Sequence, residues 1–288
     1  MAIEMTIRKI YSECTEKLLA AGFDEAALNA EILVAECLGL KKSEMHLNYG
    51  SPLNSSDLEK INIWLERRLR HEPLQYIVEK WPFLHLQLNV GPGVLIPRTE
   101  TEYWTDLLIK SIKRFFPSEK FIFADVGTGT GAIGLSIVKQ YFGSSGFLID
   151  LSPKALNVAK TNMINNSISP EKICFTISDL LSGIKAESLD LIVSNPPYIS
   201  ETEIPELMPE VRDFEPQIAL VGGPDGSEII FRLINQSRVV LKSGGILAIE
   251  HSWNQQKKIV DFCIPYFKIL YMGKDFEEKE RFLFLEKI

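Results

Sequence analysis

From Phe121 onward the chain alternates short β-branched or aromatic runs with helical stretches, and this alternation constrains the fold more than any other feature of the sequence. Strands are expected at 121–126, 146–151, 173–177, 189–194, 246–250, 267–272 and 281–285. Helices are expected at 131–142, from Ser152-Pro153 onward, and at 227–241. Ser152 and Pro153 have the residue types of a helix cap and a first helical position. Strands separated by helices imply a parallel sheet covered on both faces.

The first seventy or so residues read as helices. Ile7, Ile10, Cys14 and Leu18 recur at helical spacing, and Gly22 stops that helix. Asp24 is expected to cap a second helix through Leu38, with Ala27, Leu28, Ile32 and Ala35 on its apolar side. Ser55 or Ser56 is expected to cap another, striped by Leu58, Ile61, Leu65 and Leu69. Arg67, Arg68 and Arg70 sit on it, either as a solvated face or as a contact for an acidic or RNA-rich partner. After Pro73, residues 74–78 and 83–90 look like strands around a turn at 79–82. Gly91-Pro92-Gly93 breaks the pattern. No element is assigned between Pro97 and Phe121.

Ala124-Asp125-Val126-Gly127-Thr128-Gly129-Thr130-Gly131 ends one strand and opens a helix. Glycines there allow a sharp turn and close approach of a ligand, and the helix N-terminus offers N–H donors. Gly129, Gly131 and Gly134 also satisfy the dinucleotide fingerprint, with Asp150 about 20 residues on at a strand end. A nicotinamide or flavin cofactor and S-adenosylmethionine therefore both remain open at this point. Asp125, before the glycines, favours a cationic cofactor, since a phosphate would gain nothing from its charge. Asp179, after the third strand, is placed to accept from an adenine amino group, or simply to cap a turn.

Asn195-Pro196-Pro197-Tyr198 follows an apolar strand, at the carboxyl edge where doubly wound sheets bind ligands. Two prolines fix φ and remove two N–H groups, making a rigid turn with outward carbonyls. An amide or aromatic amino nitrogen is a poor nucleophile because its lone pair is delocalised. The Asn195 side-chain oxygen and the Pro196 carbonyl can each accept one N–H, favouring a pyramidal nitrogen whose lone pair faces the methyl. Tyr198 would add an aromatic wall and a hydroxyl. The turn alone leaves glutamine and adenine open as acceptors.

The chain has 288 residues, 45% hydrophobic and 24% charged, with net charge −7. That balance argues against an extended nucleic-acid surface. Four dispersed cysteines without a C-x-x-C pair read as reduced thiols, and no metal site is expected. No leader or membrane span is seen, so a cytoplasmic monomer is expected, with no membrane partner and no direct nucleic-acid binding.

Gly127–Gly131, Asp150 and Asn195–Tyr198 together resemble class I methyltransferases acting on amino or amide nitrogen. More of the chain resembles one branch, the PrmC/HemK family of peptide-chain release factor N5-glutamine methyltransferases. The further matching stretches are Pro73-Leu74-Gln75-Tyr76, residues 95–102 (Leu-Ile-Pro-Arg-Thr-Glu-Thr-Glu), Val211-Arg212-Asp213-Phe214-Glu215-Pro216, Glu250-His251-Ser252-Trp253 and Glu280-Arg281. The resemblance implies an α/β class I (Rossmann-like) methyltransferase sheet of seven strands, the last antiparallel. It would carry a small helical N-terminal domain and a linking β-hairpin.

The organisation expected is a helical substrate-docking domain at 1–73, hairpin and linker at 74–97, and an S-adenosylmethionine-dependent methyltransferase domain at 98–288. The implied reaction moves a methyl from S-adenosyl-L-methionine to the glutamine of the Gly-Gly-Gln motif in class I release factors. Adenine-N6 methylation of DNA or RNA is the alternative. The resemblance implies that Gly127, Thr128, Gly129, Thr130 and Gly131 line the methionine part and Asp150 holds the ribose. Asn195 would touch cofactor and substrate, and Pro196, Pro197 and Tyr198 would complete the glutamine site. Leu180 departs from the aromatic residue some members carry near the adenine, so an aliphatic contact is expected there. Asp125, Asp179 and Leu180 complete the cofactor set, and Asn195, Pro196 and Tyr198 are the catalytic candidates.

Overall fold

In the computed structural model, which describes residues 5–288, helix α1 (Ile7–Ala20) starts at the Thr6 cap. It buries Ile7, Ile10, Cys14 and Leu18, the stripe expected from their spacing. Helix α2 (Ala26–Leu38) packs on it. Its cap position is Glu25 without a side-chain bond, so Asp24 does not cap it. Ile32 and Ala35 are buried as expected, but Ala27 and Leu28 are exposed, and Ala30, Leu33 and Val34 take the inner face.

Helix α3 (Lys42–Leu47) has no counterpart in the expected elements. Helix α4 (Ser55–Leu69) is capped by Asn54, whose side chain accepts from the Asp57 N–H at 2.7 Å, one residue before the serines expected to do so. Residues 74–78 are not a strand. They form a short helix, α5 (Leu74–Val78), that ends where Glu79 turns left-handed at φ +62°.

The described residues up to Glu79, together with Pro209–Phe214, make one compact unit. The arginines of α4 are neither a solvated face nor a free patch. Arg67 is bidentate to Glu72 at 2.8 and 2.6 Å. Arg68 is buried, donating to Asn29 Oδ1 (2.7 Å), the Glu72 carbonyl (3.0 Å) and Glu210 (3.1 Å), with its guanidinium 4.2 Å from the Phe23 ring centroid. Only Arg70 of the run is exposed.

The second unit spans Lys80–Met208 and Glu215–Ile288. It opens with a hairpin, β1 (Lys80–Phe83) and β2 (Leu86–Asn89), so the turn lies at Leu84-His85 rather than 79–82. Helix α6 (Thr99–Phe115) fills the stretch to which no element was assigned. Then follow β3 (Ile122–Val126), α7 (Ala132–Gln140), β4 (Ser145–Asp150), α8 (Pro153–Asn165), β5 (Ile173–Ile177) and β6 (Leu189–Ser194). After α9 (Pro209–Phe214), which belongs to the first unit, come α10 (Glu228–Val240), β7 (Leu241–Glu250), α11 (Gln256–Cys263), β8 (Phe267–Lys274) and β9 (Glu280–Lys287).

The seven-stranded sheet has the order β5-β4-β3-β6-β7-β9-β8. Strands β3 to β7 run parallel, and β9 inserts antiparallel between β7 and β8, so the last strand is the antiparallel one. Side chains alternate across the sheet. Phe123, Leu191, Val193, Ile246 and Ala248 face one layer, with Trp104, Leu108 and Ile112 of α6 and Phe83, Leu86 and Leu88 of the hairpin. Ala124, Val126, Ile192, Leu247 and Ile249 face the other, against Ile230, Leu233 and Ile234 of α10 and Ile259 of α11.

From β3 the chain moves outward one way to β4 and later returns to the other side as β6. The carboxyl ends of β3 and β6 therefore flank the crevice where strand order reverses.

Candidate active site

Two backbone turns meet at that crevice. After β3, the Gly127 and Thr128 N–H groups both donate to the Ile149 carbonyl of β4 at 2.9 Å, folding the glycine turn onto the sheet edge. Gly129 has φ +54°, and a Cβ there would meet no protein atom within 4 Å. The space it leaves is available to a ligand. Gly134, the third glycine of the fingerprint, serves packing instead, because a Cβ would sit 2.9 Å from Asp125 Oδ2 and from Leu148 Cδ1.

A cavity of about 210 Å3 opens over this turn. Gly127, Gly129, Asp150, Asp179, Leu180, Asn195 and Pro197 line it. An apolar wall comes from Pro216, Ile218, Ala219 and Val221, and the strap Gly93-Val94-Leu95 lines it too. Arg98 donates to Glu215 Oε1 at 2.7 Å and the Ile96 N–H to Oε2 at 3.3 Å, joining the strap to the start of that wall. Two matching stretches distant in sequence, 95–102 and 211–216, thus meet in one ion pair.

Asp150 is held by two N–H donors at 2.9 Å, Gly129 to Oδ2 and Ser152 to Oδ1. Burial pushes its carboxyl up despite these bonds. Its remaining lone pairs suit hydroxyl donors such as a ribose diol. Asp179 is exposed, and its Oδ2 already accepts from Arg232 at 2.6 Å. Leu180 turns left-handed at φ +52° and presents an aliphatic contact to the cavity.

Asp125 does not reach the cavity lining. It is buried under the turn, where Oδ2 accepts from the Thr128 hydroxyl at 2.6 Å and the Gly134 N–H at 2.9 Å. Burial raises its pKa to about 6. Its position braces the glycine turn from beneath, so attraction of a cationic cofactor would act through distance and not contact. Thr128 and Thr130 are likewise buried and outside the lining, and the Thr130 carbonyl accepts from Asn162 at 2.9 Å. Gly131 begins α7 at φ +83° against Leu135 and Ala159.

The second turn, Asn195–Tyr198, leaves β6 where Ser194 Oγ donates to the Val126 carbonyl at 2.7 Å, tying it to β3. Asn195 and Pro197 line the cavity, whereas Pro196 is buried. The Tyr198 carbonyl accepts from Gln255 at 3.0 Å and is therefore not one of the turn's open acceptors. The Tyr198 hydroxyl faces protein too, donating to Glu250 Oε1 at 3.1 Å, and burial beside that carboxylate pushes the phenol up. An orienting role for this hydroxyl toward substrate is therefore replaced by a bracing one.

Glu250, at the end of β7, was not singled out as a site residue by the sequence. It is 1% exposed, and Oε2 accepts from the Thr101 hydroxyl and the Trp104 indole N–H, each at 2.7 Å. Thr101 Oγ1 in turn accepts from Asn195 Nδ2 at 2.9 Å. The only signal for these residues was that Thr101 and Glu250 fall inside stretches resembling the family. After the turn, Glu203 accepts from the Ser200 N–H (3.0 Å) and hydroxyl (2.8 Å), and Glu210 pairs with Arg68.

The residues present fit S-adenosylmethionine. The turn leaves room at Gly129, Asp150 offers acceptors for a diol, and Asp179 and Leu180 in the same lining offer an acceptor and an aliphatic contact for a base. No helix among the described residues is long and apolar enough to cross a membrane.

Known proteins resemble this chain along most of its length. A family model described as the PrmC N-terminal domain matches residues 9–78, and one described as the methyltransferase small domain matches residues 88–210. The release factor glutamine methyltransferase of Caulobacter vibrioides is 34% identical over 256 residues, covering 88% of this chain and 87% of that protein. That of Bifidobacterium longum is 34% identical over 293 residues, covering 97% and 99%. Among solved structures, the ribosomal protein L11 methylase of Lactobacillus delbrueckii subsp. bulgaricus superposes with TM-score 0.51 at 20% identity, covering 69% of this chain and 83% of that one, a likeness of fold. The protein is an S-adenosylmethionine-dependent methyltransferase, and by identity and coverage the chain belongs to the release factor glutamine methyltransferase family.

Proposed function

We propose that this chain transfers a methyl group from S-adenosyl-L-methionine to the side-chain amide nitrogen of the glutamine in the Gly-Gly-Gln motif of class I peptide-chain release factors. The observation that carries the reading is the Asn195–Tyr198 turn at the cavity edge, with the Asn195 amide tied back to Thr101. A glutamine amide has two N–H groups and a delocalised lone pair. Acceptors at the Asn195 side chain and the Pro196 carbonyl would engage both hydrogens and leave the lone pair aimed at the methyl. When bound, the cofactor would supply an electrophilic methyl, its S–CH3 bond breaking to leave S-adenosylhomocysteine as N–CH3 forms, and the surplus amide proton would pass to water after transfer. The chain supplies orientation and a partly dry site, and no strong base is required before transfer. Pro197 packs beside the acceptor, and Tyr198 stiffens the turn through Glu250.

Gly127 and Gly129 would hold the methionine part, with Thr128, Thr130, Gly131 and Asp125 shaping the turn from below. Asp150 would take the ribose hydroxyls, while Asp179 and Leu180 would flank the adenine. The helical unit is read as the docking element for the release factor. Pro209–Phe214 is built into that unit, so surface substitutions probe docking more cleanly than deletion. Leu47 and Ile63 are 86% and 54% exposed. Leu47→Asp with Ile63→Asp should raise KM for release factor and leave cofactor affinity unchanged.

The same turn would suit an adenine amino group, so the deciding experiment offers both acceptors. With labelled cofactor, transfer to a class I release factor in preference to DNA or RNA supports the proposal. Preferential transfer to nucleic acid overturns it.

A further inference from the structure

We propose that Thr101 and Glu250 are positioning residues that fix which way round the Asn195 amide lies, and so keep its oxygen turned to the substrate. The inference rests on the proposed methyl transfer at the Asn195 turn. It assigns roles to two residues from elements other than that turn.

The Trp104 indole N–H can only donate, and it meets Glu250 Oε2 at 2.7 Å. That oxygen must therefore accept. The Thr101 hydroxyl lies 2.7 Å from the same oxygen, and the Tyr198 hydroxyl lies 3.1 Å from Oε1. Glu250 thus gathers three donors while 1% exposed. Burial raises its carboxyl, and the bonds from Thr101, Trp104 and Tyr198 with the Arg281 charge oppose that rise. In the ionised form, on which this assignment of protons rests, it is acceptor-only. Thr101 has one hydroxyl proton, and it is spent on Glu250. Only lone pairs remain on Thr101 Oγ1 toward Asn195.

An amide oxygen placed 2.9 Å from those lone pairs would set acceptor against acceptor, so Nδ2 occupies that position. Oδ1, on the other branch of the amide, then turns away from Thr101. In a flipped amide an NH2 group would confront the substrate's own N–H donors, and the acceptor that the chemistry needs would be lost. The direction of Asn195 is therefore set two hydrogen bonds away, on β7, through a threonine at the start of α6. Thr101 and Glu250 need not touch the substrate. They act by holding the residue that does.

The relay has a specific substitution pattern. Thr101→Val keeps the shape but removes the lone pairs that select Nδ2. Thr101→Ser keeps them. Glu250→Gln keeps an acceptor opposite Thr101, because the Trp104 N–H demands an oxygen at the same place, and the new NH2 group can donate to the Tyr198 oxygen. With rates normalised to cofactor-binding sites, Thr101→Val should lose about 10- to 100-fold in kcat, with release-factor KM and S-adenosylhomocysteine Kd within about 3-fold. Thr101→Ser and Glu250→Gln should stay within about 5-fold of the wild type in kcat. A merely structural role would lower the fraction of cofactor-binding sites and leave kcat per site intact.

A readout independent of the substrate is the Asn195 side-chain NH2 signal in NMR of the wild-type protein. The relay predicts one proton of the pair hydrogen-bonded and protected from exchange, retained in Thr101→Ser. Equal, unprotected protons in the wild type overturn the relay, even if Thr101→Val does not fold. Wild-type kcat per site in Thr101→Val overturns it as well. If the wild type transfers no methyl to release factor, the assigned substrate fails, and the amide signal still decides the relay.

Discussion

Replacing Asp150 by Ala should weaken cofactor binding far more than the same change at Asp179, although both carboxylates line one cavity. Asp150 is oriented by the Gly129 and Ser152 N–H groups at 2.9 Å, and it sits in surroundings dry enough to push its carboxyl up. A hydroxyl donating to such a fixed charge contributes about 1.5–3 kcal/mol. Each ~1.4 kcal/mol is a factor of ten, so the dissociation constant for S-adenosylhomocysteine should rise roughly 10- to 150-fold. Asp179 is exposed and already engaged by Arg232 at 2.6 Å. An exposed, paired carboxylate contributes about 1 kcal/mol or less, which limits the effect of Asp179→Ala to roughly 5-fold. Isothermal titration of both variants makes the comparison, and thermal unfolding reports whether losing the two N–H partners loosens the turn. An Asp150→Ala constant within about 2-fold of the wild type, in a folded protein, would refute the assignment of the ribose to this carboxylate.

Three further expectations follow from buried groups. Asp125 has its folded pKa raised from 3.8 to about 6, so the folded state binds the extra proton between those values. Stability should therefore fall as pH rises from about 4 to 6, by up to ~3 kcal/mol, and Asp125→Asn should flatten that slope in urea unfolding. Gly131→Ala puts a Cβ 2.8 Å from Leu135 Cδ1 and 3.2 Å from Ala159 Cβ at φ +83°, and should cost about 1–3 kcal/mol in the same assay. Arg68→Ala leaves Asn29 and Glu210 without their donor and should destabilise the protein by about 3 kcal/mol, with a lower denaturant midpoint as the readout.

The elements legible in the sequence were those whose cause is local. Leu189–Ser194 is a strand over the expected residues, because a short apolar run bounded by polar turns has one way to be buried in a parallel sheet. The edge strand Ile173–Ile177 also keeps its expected bounds, although only Ile173 of it is buried. Ser152 caps α8, with its hydroxyl accepting from the Ala155 N–H at 3.2 Å. The misreadings have equally physical origins. Tyr76, Ile77 and Val78 look like a strand, but Pro73 starts a helical turn that Glu79 ends in the left-handed region. In α2 almost every residue is apolar, so the pattern left the inner face open, and tertiary packing chose Ala30, Leu33 and Val34 over Ala27 and Leu28.

At the site, the two turns declared themselves because glycine and proline dictate backbone shape. The side-chain bonds did not. Thr101 meets Glu250 across 149 positions of sequence and Arg98 meets Glu215 across 117, and no local pattern encodes such pairs. Arg68 looked like surface because its three acceptors come from α2, from the turn after its own helix and from α9.

The central claim is most directly tested by locating the methyl itself. A class I release factor is incubated with the protein and S-adenosylmethionine, digested, and mapped by fragmentation mass spectrometry. The account predicts one added methyl on the side-chain amide of the Gly-Gly-Gln glutamine, absent when Asn195→Ala protein is used. A methyl on any other residue, or full transfer by Asn195→Ala, would contradict it.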